Sequence, residues 1–189
     1  MPKRTLFVLV RPESTDSVDQ EAHGWSENAL TFAGRVVATS MAQHVAMSTL
    51  SLSSIHASDL GGARETAEIV QSICGGSLVF TTDLREMGFG FREDHPLEKG
   101  IVDDAETRKE LAERIYHYLD EADLGTNSVI STHASAATFV IAWWLDMPQE
   151  ALAYVNFGVQ PGSVTRLVED DLLKDRSVSR LNQRFGLAS

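Results

Sequence analysis

The sequence has little cysteine and no long apolar run, and each shortage narrows what the chain can be. Cys74 is the only cysteine among 189 residues, so no intrachain disulfide can form and a zinc site would need histidine and carboxylate ligands alone. The six histidines form no pair or cluster at ligand spacing, so we expect no metal and no other cofactor. The first apolar run is too short for a signal peptide and no run approaches membrane-spanning length, which favours a cytoplasmic chain.

Positive charge is also scarce. Lysine and arginine number 16 against 27 aspartates and glutamates, which gives a formal net charge of −11. This balance argues against nucleic acid or an anionic membrane as a general partner, although it leaves room for a local positive pocket. With only five prolines and 43% hydrophobic residues, the composition is that of a globular protein. The length predicts a single domain over residues 1–189, and a homodimer is left open.

Short apolar strands alternate with helical patterns along the chain. Residues 6–10 are five uninterrupted apolar residues, which is typical of a central strand covered on both faces of a parallel sheet. The alternation predicts a three-layer α/β/α sandwich with a mostly parallel sheet. The predicted helices are 31–47, capped by Thr31, then 60–74, 105–124 and 137–147. The further predicted strands are 49–57, 78–80, 128–132 and 163–169, and the tail from residue 172 is assigned no element.

Two of these strands end in residues suited to bind an anion. Arg11 follows the first strand, and the carboxyl ends of strands are where open α/β sheets bind ligands. His133 follows a later strand and precedes Ala134 and other small residues that open a helix, whose free amides favour an anionic group. Each has a plainer alternative, because Arg11 could pair with a surface carboxylate and His133 could be a core or capping histidine. Ser58 has the position of a helix cap rather than of a nucleophile.

Six segments stand in a characteristic order along the chain. They are 9–15 (Leu-Val-Arg-Pro-Glu-Ser-Thr), 23–34 (starting His23-Gly24-Trp25), 58–67 (starting Ser-Asp-Leu), 84–90 (Leu-Arg-Glu-Met-Gly-Phe-Gly), 129–134 (ending Ser-Thr-His-Ala) and 162–167 (Gly-Ser-Val-Thr-Arg-Leu). In this order they resemble motifs of the histidine phosphatase superfamily, which has the phosphoglycerate-mutase-like fold. The resemblance extends over nearly the full length of the chain.

The resemblance implies a set of site residues. In that superfamily a histidine of the first motif attacks phosphorus and becomes a phosphohistidine. Two arginines and a second histidine hold the phosphoryl oxygens, and a glutamate handles the proton of the leaving group. By resemblance Arg11, Glu86 and His133 keep three of these positions, while Ser14, Gly24, Ser58 and Ala134 are expected to contact substrate.

Two positions depart from the superfamily pattern. Pro12 stands where the attacking histidine belongs, and no histidine adjoins Arg11. The second arginine falls on Gly62, and Arg64 cannot replace it because residues two apart on a helix point to different faces. A missing nucleophile can cost about 10⁶ in rate, so the sequence predicts loss of phosphohistidine chemistry.

Three functions are compatible with this pattern. The first is an enzyme in which Arg11 clamps a small anionic or polar metabolite while Glu86 and His133 carry out acid/base chemistry, namely dehydration, cyclisation, isomerisation or hydrolysis. In this enzyme His23 could serve as a displaced base or nucleophile. The second is an inactive pseudo-phosphatase that binds a ligand or a protein. The third is an unconventional phosphatase that uses His133 or His23 directly.

Overall fold

The computed structural model describes residues 4–14, 25, 27–88, 105–170 and 172–185, and these form a six-stranded mixed sheet with helices on both faces. The strands are β1 (Arg4–Val10), β2 (Ser54–Ser58), β3 (Ser77–Thr81), β4 (Asn127–Thr132), β5 (Ser163–Glu169) and β6 (Arg176–Arg184). The helices are α1 (Phe32–Ser48), α2 (Gly61–Cys74), α3 (Arg108–Glu121) and α4 (Ala134–Trp144), with short 3₁₀ turns at Thr82–Leu84 and Gln149–Ala153.

The order of strands across the sheet is β3-β2-β4-β1-β5-β6. Strands β1 to β4 are parallel to one another. On one side of the sheet, β5 is antiparallel to β1 and β6 is antiparallel to β5. The predicted α/β/α architecture with a mostly parallel sheet is confirmed.

The first strand shows why the sheet lies in the middle. Leu6, Val8 and Val10 pack into the core formed with α3 and α4. Phe7 and Leu9 pack into the opposite core with α1 and α2. Side chains of a strand alternate between its two faces, so an unbroken apolar run requires helices on both sides.

Local signals fix where two of the helices begin. The Thr31 hydroxyl accepts a hydrogen bond from the amide of Gly34 at 2.9 Å, as expected of an N-cap. Helix α3 begins with a capping box, in which Thr107 and Glu110 each accept from the other's backbone amide. In the part of the chain described here, no helix has the length and apolar character needed to cross a membrane.

Several elements differ from the prediction. Strand β2 begins at Ser54, five residues after the predicted start, and helix α3 is shorter than predicted by three residues at each end. Helix α4 begins at Ala134, three residues before the predicted start, because the helix follows the strand with only His133 between them. Strand β6 lies in the tail that was assigned no element. Most of its residues are exposed and only Val178 and Leu181 are apolar, so it has no clear alternation. A register shift against β5 further breaks the pattern.

Candidate active site

The carboxyl ends of β1 and β4 place Arg11 and His133 at one edge of the sheet. These strands are parallel neighbours in which Val10 pairs with Thr132. The ladder continues one step further, since the amide of Arg11 donates to the carbonyl of Thr132 at 2.8 Å. The two candidate residues therefore follow directly from adjacent, aligned strand ends.

Arg11 lies partly buried over the start of α2. Its Nη1 donates to the Ser14 hydroxyl at 2.8 Å and to the Pro12 carbonyl at 3.2 Å. Its Cδ lies against Gly62, where an added Cβ would come within 2.8 Å. Pro12 and Ser14 are buried, so the turn after β1 is part of the protein interior.

His133 is buried against the end of β2. Its side chain belongs to a residue only 5% exposed, and Nε2 lies 3.0 Å from the hydroxyl of Ser58. Burial lowers the pKa of His133 to about 3, and the nearby positive charges of Arg11 and Arg114 act in the same direction. The imidazole is therefore neutral at physiological pH. Ser58 also accepts from the amide of Leu60 at 3.3 Å, but the expectation that it caps the helix is wrong, because Ser58 is the last residue of β2 and the N-cap of α2 is Leu60, which has no side-chain capping bond.

The side chain of Glu86 connects the loop after β3 to the start of α4 through hydrogen bonds. One carboxylate oxygen accepts from the amide of Met87 at 2.9 Å, and the other accepts from the amide of Ser135 at 3.2 Å. Helix α4 has no acidic residue in its own first turn. Glu86 therefore supplies from outside the negative charge that a helix N-terminus favours.

An ion pair that sequence reasoning missed lies beside these residues. Arg85 donates two hydrogen bonds to the carboxylate of Asp59, at 2.7 and 2.6 Å. These bonds hold the pKa of Asp59 below its usual value. The guanidinium also lies 4.9 Å from the centre of the Trp25 ring, and the Trp25 indole donates to the carbonyl of Glu86 at 2.9 Å. The sequence signal for this pair was the acidic Asp59 directly after β2 and the basic Arg85 directly before Glu86.

The remaining candidates have different outcomes. Ala134 is the first residue of α4. The guanidinium of Arg64 lies 4.9 Å from the centre of the Phe80 ring, and its charge helps to lower the pKa of Asp59. His23 and Gly24 fall outside the described residues, so their roles stay predictions. Within those residues, no three or more histidine, cysteine or acidic side chains are placed to hold a metal ion.

The whole chain can now be compared with known proteins. Residues 7–182 match the histidine phosphatase superfamily, branch 1. The chain belongs to this superfamily. Its members are typically enzymes, among them mutases and phosphatases.

Relatives within the superfamily agree in fold. The probable phosphoglycerate mutase GpmB of Erwinia tasmaniensis is 29% identical over 167 residues, which cover 77% of each chain. The alpha-ribazole phosphatase of Shigella flexneri has a TM-score of 0.77 at 21% identity, covering 98% of this chain and 100% of that one. A mycobacterial glucosyl-3-phosphoglycerate phosphatase has a TM-score of 0.76 at 20% identity, covering 95% and 99%. The structural matches establish the phosphoglycerate-mutase-like fold.

Proposed function

We propose that this member of the histidine phosphatase superfamily acts on a small anionic or polar metabolite by acid/base chemistry, without a phosphohistidine intermediate. The observation that carries the proposal is the buried Pro12 directly after Arg11. Proline has no side-chain nucleophile, so the covalent route of the superfamily has no attacking group at this position. Glu86 and His133 nevertheless stand together at the start of α4, where acid/base groups can act.

The two groups are suited to different roles. The Glu86 carboxylate can accept a proton, because each oxygen retains a lone pair beyond the single amide that it binds. His133 is neutral and can donate or accept a hydrogen bond without adding charge. The Ser58 hydroxyl already accepts from the amide of Leu60, so its own hydrogen can go to Nε2 of His133. That arrangement leaves Nδ1 protonated and able to donate to a substrate oxygen.

Turnover by matched variants tests this proposal. Purified protein is incubated with a panel of small carboxylated and polar metabolites, and consumption is followed by NMR. Glu86→Gln and His133→Gln should each lower turnover by about 10²-fold or more, the range expected for a lost acid or base. Glu113→Gln and His117→Gln are the controls, because both side chains are exposed on α3.

A phosphate-ester arm separates this chemistry from that of the named relatives. Hydrolysis of p-nitrophenyl phosphate by the wild type, with an acid-labile phosphoenzyme, would contradict the proposal. Hydrolysis that is lost in His133→Gln would instead identify the unconventional phosphatase. No turnover on the ester, together with Glu86-dependent turnover of a metabolite, would support acid/base chemistry.

A binding protein without turnover is the second candidate. One observation favours it: Nη1 of Arg11, Nε2 of His133 and both oxygens of Glu86 already have partners within the chain. A pocket satisfied in this way needs no substrate to complete it. If a metabolite binds, is not consumed and binds equally well to Glu86→Gln, this second function is the correct one.

A further inference from the structure

Resting on the proposed function, we propose that the pocket selects a monoanionic carboxylate group over a phosphoryl dianion. The inference comes from counting the charges that surround Arg11. A dianion buried beside one guanidinium keeps an uncompensated charge, which is costly where water is excluded. A carboxylate is balanced by one bidentate partner.

Arg11 is the guanidinium that remains available. Among the described residues, its side chain bonds only to the neutral oxygens of Ser14 and Pro12 and forms no ion pair with a carboxylate. An incoming anion can therefore replace these neutral partners and gain a charge-assisted pair.

Arg85 and Arg114, two other arginines around this edge, are already paired with carboxylates. Arg85 is held bidentately by Asp59. Arg114 donates Nε and Nη2 to the carboxylate of Glu106 at 2.9 and 2.8 Å, and its Nη1 donates to the carbonyl of Asp83 at 2.6 Å. Recruiting either one for a second negative charge would leave a carboxylate without its partner.

At position 62, helix α2 contributes no second cation. Gly62 has no side chain, and the methylene stem of Arg11 occupies the space beside it. Arg64, two residues further on, is directed toward Phe80 on β3. A guanidinium at position 62 would therefore be new to the pocket and would displace the stem of Arg11.

The other groups at this edge that could bind an anion, the first turn of α4 and His133, offer no further positive charge. The first turn of α4 already binds the Glu86 carboxylate through the Ser135 amide, so its dipole is matched by a negative charge. His133 is neutral and adds none.

Benzoate and phenyl phosphate provide a matched pair of probes. They share a phenyl ring and differ in the anionic group, and near pH 7.5 the phosphate ester is mostly a dianion because its second pKa is about 6. Isothermal titration calorimetry of the full chain should give benzoate an affinity about tenfold higher than that of phenyl phosphate. Arg11→Met should abolish benzoate binding, while Arg180→Met, a change at an exposed residue of β6, should leave it unaltered.

Gly62→Arg tests the reasoning by adding the missing charge. This variant should raise the affinity for phenyl phosphate about tenfold and remove the preference for benzoate. Circular dichroism and the melting temperature establish that each variant is folded. If Gly62→Arg does not fold, the wild type and Arg11→Met still decide the matter.

Each outcome has a definite meaning. The proposal would be overturned if Arg11-dependent binding of phenyl phosphate were as tight as that of benzoate, or tighter. It would also be overturned if neither probe bound at about 20 mM, a concentration at which even weak complexes are detected. These results leave the acid/base proposal open, because that one depends on Glu86-dependent turnover. Conversely, a preference for benzoate without turnover of any metabolite would support the selection of a carboxylate ligand and refute the proposed enzymatic function.

Discussion

Replacing His133 with glutamine should change how the stability of the protein depends on pH. The folded pKa of His133 is about 3 and its ordinary value is 6.5. Below pH 6.5 the unfolded chain therefore binds a proton at this residue that the folded protein rejects. The free energy of unfolding falls as the pH falls, by about 1.4 kcal/mol per pH unit. Between pH 6.5 and about pH 4.5, His133 alone should cost the wild type about 2 kcal/mol.

His133→Gln removes this proton while it keeps a hydrogen-bonding side chain next to Ser58. His56 and His44 also have pKa values lowered by burial, so they contribute to the pH dependence of the wild type as well. The difference between wild type and variant cancels their effect. Urea denaturation followed by circular dichroism, from about pH 7.5 to about pH 4.5, should show the advantage of the wild type shrinking by about 3 kcal/mol.

A solvent-exposed histidine provides the control. His117→Gln should unfold in parallel with the wild type at every pH, since the His117 side chain is 76% exposed. A wild-type advantage over His133→Gln that stays constant within about 0.5 kcal/mol would refute the reasoning. It would mean that His133 binds its proton as readily in the folded protein as in the unfolded chain.

Three further substitutions test separate parts of the structure. Gly34→Ala should lower the free energy of unfolding by about 3 kcal/mol, because its Cβ would lie 2.2 Å from the Glu13 carbonyl oxygen; an unchanged urea midpoint would show that the turn yields easily. Thr107→Ala should cost about 1 kcal/mol through loss of the capping box, and Thr107→Ser should restore most of it. Asp59→Asn should free Arg85 and raise the affinity for phenyl phosphate about fivefold in calorimetry, whereas unchanged affinity would show that Arg85 is too far away to contribute.

The sequence was sufficient for the architecture because the central strands are buried on both faces. Residues 6–10 form an apolar run whose only stable place is between two layers of helices, and the structure has them there. Thr31 was recognisable as a cap because a hydroxyl before an apolar-periodic segment satisfies a free helix amide. Strand β6 gave no such signal, since an exposed edge strand with a register shift against β5 has neither a core face nor regular alternation.

At the site, the sequence identified the strand-end residues but not the contacts between them. Arg11 and His133 could be predicted because strand ends collect at one edge of a parallel sheet. The bond between His133 and Ser58 could not, because it depends on β2 lying next to β4, and no local pattern encodes strand order. The same holds for Arg85 and Asp59, which are 26 residues apart in the chain.

The two predicted departures from the superfamily pattern, at Pro12 and Gly62, would depend on each other physically. A second guanidinium at position 62 without a bound anion would face Arg11 at short range, and like charges that close repel strongly where water is scarce. Gly62 removes that repulsion and leaves space for the stem of Arg11, whose guanidinium then bonds to Ser14 and to the carbonyl of Pro12. Pro12 contributes to the same arrangement, because its carbonyl accepts from Arg11 and its ring adds no charge. The side chain of Arg11 is thus satisfied within the chain by two neutral oxygens. Under the proposed function, an anionic ligand would bind by replacing them with a charge-assisted pair, for which a single negative charge is enough.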